Sequence, residues 1–173
     1  MSKYNVPENN SLKDLIEEIL RLCEAAVEEY GEKASYFEPA VTESEMTAWE
    51  EENEIKIPES YKEWLRFSSA CQIKQTVAGF SFPRFADIVP SDLVIIGWLI
   101  GDGEVLCFSK SNGNFVRYFE GEVNDEFSDF KDMLKEVIRM LEEKCSIPNY
   151  AQELFLKFMK ASEERENSKH KEL

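Results

Sequence analysis

From Ser11 onward, apolar residues recur at intervals of three and four: Leu12, Leu15, Ile16, Ile19, Leu20, Cys23 and Val27. This spacing lays one apolar stripe along a helix that Gly31 would end, and so predicts a first helix over residues 11–30. A stronger start signal follows. Thr42 and Glu45 form an S/T-x-x-E capping box, and Val41 and Met46 occupy the two positions of a hydrophobic staple, which predicts a helix from Glu43 to about Asn53. On that helix Met46 and Trp49 are expected to point inward, while the run Glu50-Glu51-Glu52 forms an acidic exposed face. Ile55 and Ile57 then lead through Pro58, suited to a first helical position, into a short helix carrying Tyr61, Trp64, Leu65 and Phe67.

After Ala70 the pattern changes to short aromatic and β-branched runs, at Val77 to Phe82, Asp92 to Ile100, Glu104 to Ser109 and Phe115 to Phe119, which read as strands. Gly101-Asp102-Gly103 and Ser111-Asn112-Gly113-Asn114 are turn-rich breaks, so the last three runs are expected to form an antiparallel meander. None of the breaks is long enough for a parallel crossover. Ser128 can cap a further helix whose Phe130, Met133, Leu134, Val137, Ile138 and Leu141 face the core. Pro148 marks the break before a last helix over 149–161, with Tyr150, Leu154, Phe155 and Phe158, and residues 162–173 lack apolar periodicity and read as a flexible tail. The expected fold class is therefore α+β: an antiparallel meander packed with N-terminal and C-terminal helices, in one domain over 1–161.

Composition supports a folded chain. Of the 173 residues 43% are hydrophobic, with twelve Phe, six Tyr and three Trp, which is far from the composition of a disordered segment. Charge narrows the partners. Thirty-five acidic residues against twenty basic ones leave a formal net charge of -15, a field that repels phosphate backbones and anionic lipid surfaces and attracts cationic proteins. Direct binding to nucleic acid or membrane is not expected. An acidic surplus of this kind also serves solubility alone. Met1 to Pro7 lacks the apolar stretch of a signal peptide, the longest apolar run, Val94 to Ile100, is only strand-sized, and a cytoplasmic location is the expectation.

Candidate chemistry is sparse. The single histidine, His170, sits in the polar tail, which removes the usual general base and the Ser-His and Cys-His pairs. Cys23, Cys71, Cys107 and Cys145 are widely spaced, with no C-x-x-C pair and no histidine at ligand spacing, so neither a metal nor a cofactor is expected. Cys107 lies in an apolar strand, where a thiol acts as a small hydrophobe. Gly97, Gly101 and Gly103 lack the following helix that a phosphate cradle requires. Asp102 and Glu104 could split acid and base roles as paired carboxylates, although both are also ordinary hairpin residues. Trp49, Tyr61 and Trp64 match the buried stripes of their helices better than a recognition surface.

Two segments carry a family resemblance. Val41-Thr42-Glu43-Ser44-Glu45-Met46-Thr47-Ala48-Trp49-Glu50 followed by Ile55-Lys56-Ile57-Pro58-Glu59-Ser60-Tyr61-Lys62-Glu63-Trp64-Leu65 resembles the start of the SUKH superfamily, with its I-x-[IL]-P-x-x-Y-x-x-[FW]-L element. Ile96-Gly97-Trp98, the turn and strand from Gly101 to Phe108, Val116-Arg117-Tyr118-Phe119 and Phe127-Ser128-Asp129-Phe130 are similar to the strands and closing helix that follow, so the likeness runs from about 40 to 143. The helices over 11–30 and 149–161 lie outside it. At the end of the second helix, relatives commonly carry Asn-Gly-Gly where this chain has Ser68-Ser69-Ala70, so the turn there must be built differently.

The superfamily contains fungal cell-wall-synthesis regulators and many bacterial immunity proteins. The resemblance implies a non-enzymatic, protein-binding role: an immunity protein that neutralises a cognate toxin, or a regulatory adaptor. A nuclease must neutralise phosphates with Lys and Arg, so an acidic chain suits a basic nuclease as the toxin. Candidate contact residues are the carboxylates of the hairpin and the late loop: Asp102, Glu104, Glu120, Glu122, Asp125 and Glu126. A carboxylate-dependent enzyme using Asp102 or Glu104 is the third reading.

Overall fold

The computed structural model describes residues 4–25, 35–74, 77–99 and 103–145. Helix α1 (Lys13–Ala25) buries Ile16, Ile19, Leu20, Leu22 and Cys23, as its stripe predicts. Its start is fastened to the rest of the chain through Asn10, whose side-chain amide donates to Glu63 O at 2.6 Å while its oxygen accepts from Leu12 N–H at 2.8 Å. Residues 26–30 of the predicted first helix lie outside the described residues, as do the helix expected over 149–161 and the tail.

Helix α2 (Glu43–Asn53) begins at the capping box read from the sequence. The Thr42 hydroxyl accepts from Glu45 N–H, and the Glu45 carboxylate accepts from Thr42 N–H at 2.8 Å. Helix α3 (Glu59–Leu65) is one residue shorter at its start than expected: Pro58 is extended, at ψ 136°, and precedes the helix as its cap. Phe67 falls past the helix end but is still buried.

The acidic run on α2 needs a correction. Glu50 is only 5% exposed, because it stands four residues after Met46 and so shares the inner face of the helix. Its carboxylate accepts from Ile57 N–H at 2.9 Å and lies 2.8 Å from Lys62 Nζ and 3.2 Å from Lys56 Nζ. One side chain thereby ties α2, the extended link and α3 together. Burial pushes the Glu50 carboxyl upward, but the bonds from Lys62, Ile57 N–H and Lys56 outweigh it and leave the group below its ordinary value.

Among the described residues seven strands form one sheet in chain order, each antiparallel to the next: β1 (Tyr36–Phe37), β2 (Ala70–Ile73), β3 (Ala78–Arg84), β4 (Leu93–Leu99), β5 (Glu104–Ser109), β6 (Phe115–Phe119) and β7 (Glu122–Phe127). β5 and β6 have the expected bounds, β3 starts one residue and ends two residues later than expected, and β4 starts one residue later, its expected last residue Ile100 lying outside the described residues. Strands β1, β2 and β7 are not anticipated by the sequence reading. β3 tolerates Pro83, which lacks a ladder donor, because the register with β4 shifts between Phe80 and Arg84. The Ser68-Ser69-Ala70 turn is closed by side-chain chemistry rather than glycine: the Ser68 hydroxyl lies 2.7 Å from Ala70 O and 2.9 Å from Glu38 O.

Helix α4 (Phe130–Cys145) is capped by the side chain of Asp129 rather than Ser128, since the Asp129 carboxylate accepts from Lys131 N–H at 2.7 Å. Its predicted stripe is buried from Phe130 to Leu141. The main core lies between the helices and one sheet face, where Phe80, Val94, Ile96, Leu106, Phe108 and Phe115 meet residues of all four helices. A smaller cluster on the opposite face, including Leu93, Ile95, Val105, Cys107 and Val116, is roofed by Ala86 and Val89 of the β3–β4 connection.

Glu50→Gln should lower stability at pH 7 by about 1.5 kcal/mol, since it keeps the bond to Ile57 but leaves Lys62 without its buried anion. A depressed folded value stabilises above the ordinary value of 4.5 and is lost as pH falls through the lower folded one. Urea unfolding at pH 7 and pH 3 should therefore show a smaller acid loss in the variant, whereas Glu51→Gln should follow the wild type.

Candidate partner-binding surface

Strand β7 is the last strand of the sheet among the described residues, and every residue from Glu122 to Glu126 is exposed. The β6–β7 hairpin turns through Glu120 and Gly121, both at positive φ (48° and 93°), with Phe119 paired to Glu122. Two positive φ angles are the geometry of the tight hairpin turn that matches strand twist, usually built from Asn-Gly or Asp-Gly. Glu-Gly does the same here, which is why the sequence reading assigns this segment to a loop.

The candidate carboxylates separate into two groups. Glu104 opens β5 on the helix-facing side, and both of its oxygens receive the guanidinium of Arg117 on β6, at 3.1 Å from Nε and 3.0 Å from Nη2. Their side chains are only 13% and 20% exposed. Arg117 also reaches Asp125 on β7 at 2.7 Å, and Glu136 on α4 lies 3.9 Å away. Burial works against the charge of Arg117, but Glu104, Asp125 and Glu136 hold it above its ordinary value. Glu104 and Asp125 are thus parts of a charge network that ties β5, β6, β7 and α4.

The other group is unneutralised. Glu126 pairs across to Val116, on the sheet face away from the helices, and accepts from the neutral Asn114 amide at 2.6 Å. Glu120 and Glu122 are exposed, and among the described residues no cation pairs with Glu120, Glu122 or Glu126. Asp102 lies outside the described residues. The hairpin and β7 therefore present three carboxylates to solvent at the edge of the sheet, beside Val123, which is 51% exposed.

Of the three aromatic residues weighed from sequence, Tyr61 and Trp64 are fully buried and Trp49 is half-buried. The exposed part of Trp49 belongs to an apolar surface that the sequence reading missed. Its ring stacks on Phe85 at 5.9 Å and meets Phe82 edge-on at 6.3 Å, next to a groove of about 380 Å³. The apolar residues Phe85 and Ile88, in a segment assigned to no element, were the available signal.

Chemistry of the catalytic kind finds little support in side-chain placement. Both oxygens of Glu104 accept from Arg117, and one also accepts from the Asn124 amide at 3.3 Å, while burial pushes the Cys107 thiol up to about 12. Cys23, Cys71 and Cys107 are buried and in no disulfide. No group of three or more His, Cys, Asp or Glu among the described residues is arranged to hold a metal ion. No helix among the described residues is long and apolar enough to cross a membrane.

A family model, the SMI1/KNR4 family (SUKH-1), matches residues 40–136, which is more than half of the chain and spans α2 through the first turns of α4. The chain belongs to the SMI1/KNR4 family (SUKH-1). Membership supports a role as an immunity protein or as a regulator of the SMI1/KNR4 kind, and members of this family are generally non-catalytic binders of other proteins. Among curated proteins, none is similar enough to this chain to be matched to it. In this SUKH-1 chain, helix α1 lies outside the matched region yet contributes Ile16 and Ile19, fully buried, to the same core as the family elements.

Arg117→Met should cost about 2 kcal/mol in denaturant unfolding, because it leaves the half-buried Glu104 carboxylate without its cation. Adding Glu104→Gln to that variant should recover part of the loss. Glu122→Gln, with no partner to lose, should stay within about 0.5 kcal/mol of wild type.

Proposed function

We propose that this SUKH-1 chain is an immunity protein that acts in the cytoplasm by binding and neutralising a cognate, cationic toxin of the nuclease type. The observation that carries this reading is the division among its carboxylates. Arg117 engages Glu104 and Asp125, while Glu120, Glu122 and Glu126 stand exposed on the hairpin and β7, with no cation paired to them among the described residues. With a net charge of -15 behind it, such an edge attracts the Lys- and Arg-lined surface with which a nuclease grips phosphates. Glu120, Glu122 and Glu126 would pair with those cations, and Asp102, outside the described residues, is a further candidate contact. Glu104 and Asp125 would act from behind, with Arg117 fixing their position.

Family membership also favours a second reading, a non-catalytic adaptor of the cell-wall-regulator type whose client is not a toxin. The same edge would serve it, and the client would differ.

Co-expression with the toxin domain encoded beside its gene, with binding measured on the same pair, separates the two. Rescue with tight binding is the expected result, and neither rescue nor binding would move the assignment to the adaptor. The triple variant Glu120→Gln, Glu122→Gln, Glu126→Gln should associate about tenfold more slowly at low salt, with the wild-type difference shrinking as salt is raised. An association rate unaffected by salt and by these three substitutions would remove the edge from the proposal.

A further inference from the structure

The groove beside Trp49 has a chemistry of its own. Along α2, Glu45, Ala48, Trp49 and Glu52 fall at i, i+3, i+4 and i+7 and so share one face of the helix. Val41, Ser69 and Phe82 complete the lining of the groove of about 380 Å³. The middle is apolar and both ends are acidic, with the two glutamates roughly 10 Å apart along the helix axis. Thr42 holds the Glu45 carboxylate in the capping box, and among the described residues no cation pairs with Glu52. The apolar floor continues outward through the stacked Trp49 and Phe85, and Phe85 remains 46% exposed.

We propose that this groove binds an extended segment of a partner protein in which an apolar side chain stands between two Lys or Arg residues. The alternation of an extended chain puts residues i, i+2 and i+4 on one side, with the outer two about 13 Å apart. That length suits two glutamates whose side chains splay beyond the ends of the groove. A half-buried Trp is the kind of anchor that dominates protein interfaces. A second copy of this chain is a poor occupant, because it brings a net charge of -15 to a groove closed by two carboxylates. The inference goes beyond the immunity reading: it needs a protein partner but neither a toxin nor the β7 edge.

The test is an NMR titration of the isotope-labelled full chain with the capped peptide Arg-Thr-Leu-Thr-Arg, and with Glu-Thr-Leu-Thr-Glu as control. The Trp49 indole and the amides of 45–52 and 82–85 should shift saturably with the basic peptide and stay in place with the acidic one. Glu45→Gln with Glu52→Gln should weaken binding about fivefold, and Gln at position 45 preserves the capping box. Ala48→Arg, an exposed helix position, should weaken it at least tenfold without changing the fold. The proposal is overturned if the groove does not respond at millimolar peptide, if both peptides shift it equally, or if Ala48→Arg binds as well as wild type. It is equally overturned if, without peptide, Trp49 shifts with protein concentration or shows contacts to residues beyond 145, for then a second copy or the chain itself fills the groove.

Discussion

Phe130 is the point at which the layers of this protein meet. Its ring lies 4.9 Å from Tyr61 and 5.9 Å from Trp64 on α3, 5.2 Å from Phe80 on β3 and 5.4 Å from Phe115 on β6. All five rings are fully buried, and removing a phenyl group from such a site costs about 3–5 kcal/mol. Tyr61 adds a polar tether to the same cluster, with its hydroxyl 2.6 Å from Ser81 O and 3.1 Å from Ile96 O. Because this cluster draws α3 and α4 onto one sheet face, residues 122–126 of β7 stay exposed at the sheet's end.

Charge is divided along the same lines. Inside the helical layer, carboxylates are consumed by structure: Glu50 by Lys62 and the Ile57 amide, and Glu43, Glu59 and Glu63 by the single guanidinium of Arg66. On the sheet, Arg117 does the same for Glu104 and Asp125. Among the described residues, the carboxylates that no cation answers include Glu120 at the β6–β7 turn, Glu122 and Glu126 on β7, and Glu45 and Glu52 at the ends of the Trp49 groove. An acidic protein of the SUKH-1 family can in this way keep a rigid interior of paired charges and still present an unbalanced field to a partner.

Local signals with a mechanism of their own were legible in the sequence. The capping box at Thr42 and Glu45 and the stripe from Phe130 to Leu141 depend on residues three or four apart, and both are found in the structure. Elements that depend on distant partners were not. β1 is two residues long and exists only because Phe37 meets Cys71, and β7 has no apolar alternation and is held by its hairpin to β6. Glu50 was misread because its neighbours Glu51 and Glu52 suggested a solvated run, while its four-residue spacing from Met46 carried the better signal. The candidate carboxylates looked alike as letters, and only the position of Arg117 separates those it engages from those it leaves free.

Whether the exposed acidic edge is where a partner docks can be read directly from hydrogen exchange, comparing the free chain with the chain bound to the toxin domain encoded beside its gene. The account predicts slowed exchange in residues 119–127, with α1 unchanged. Slowed exchange confined to α1 and α4, with none in 119–127, would contradict it.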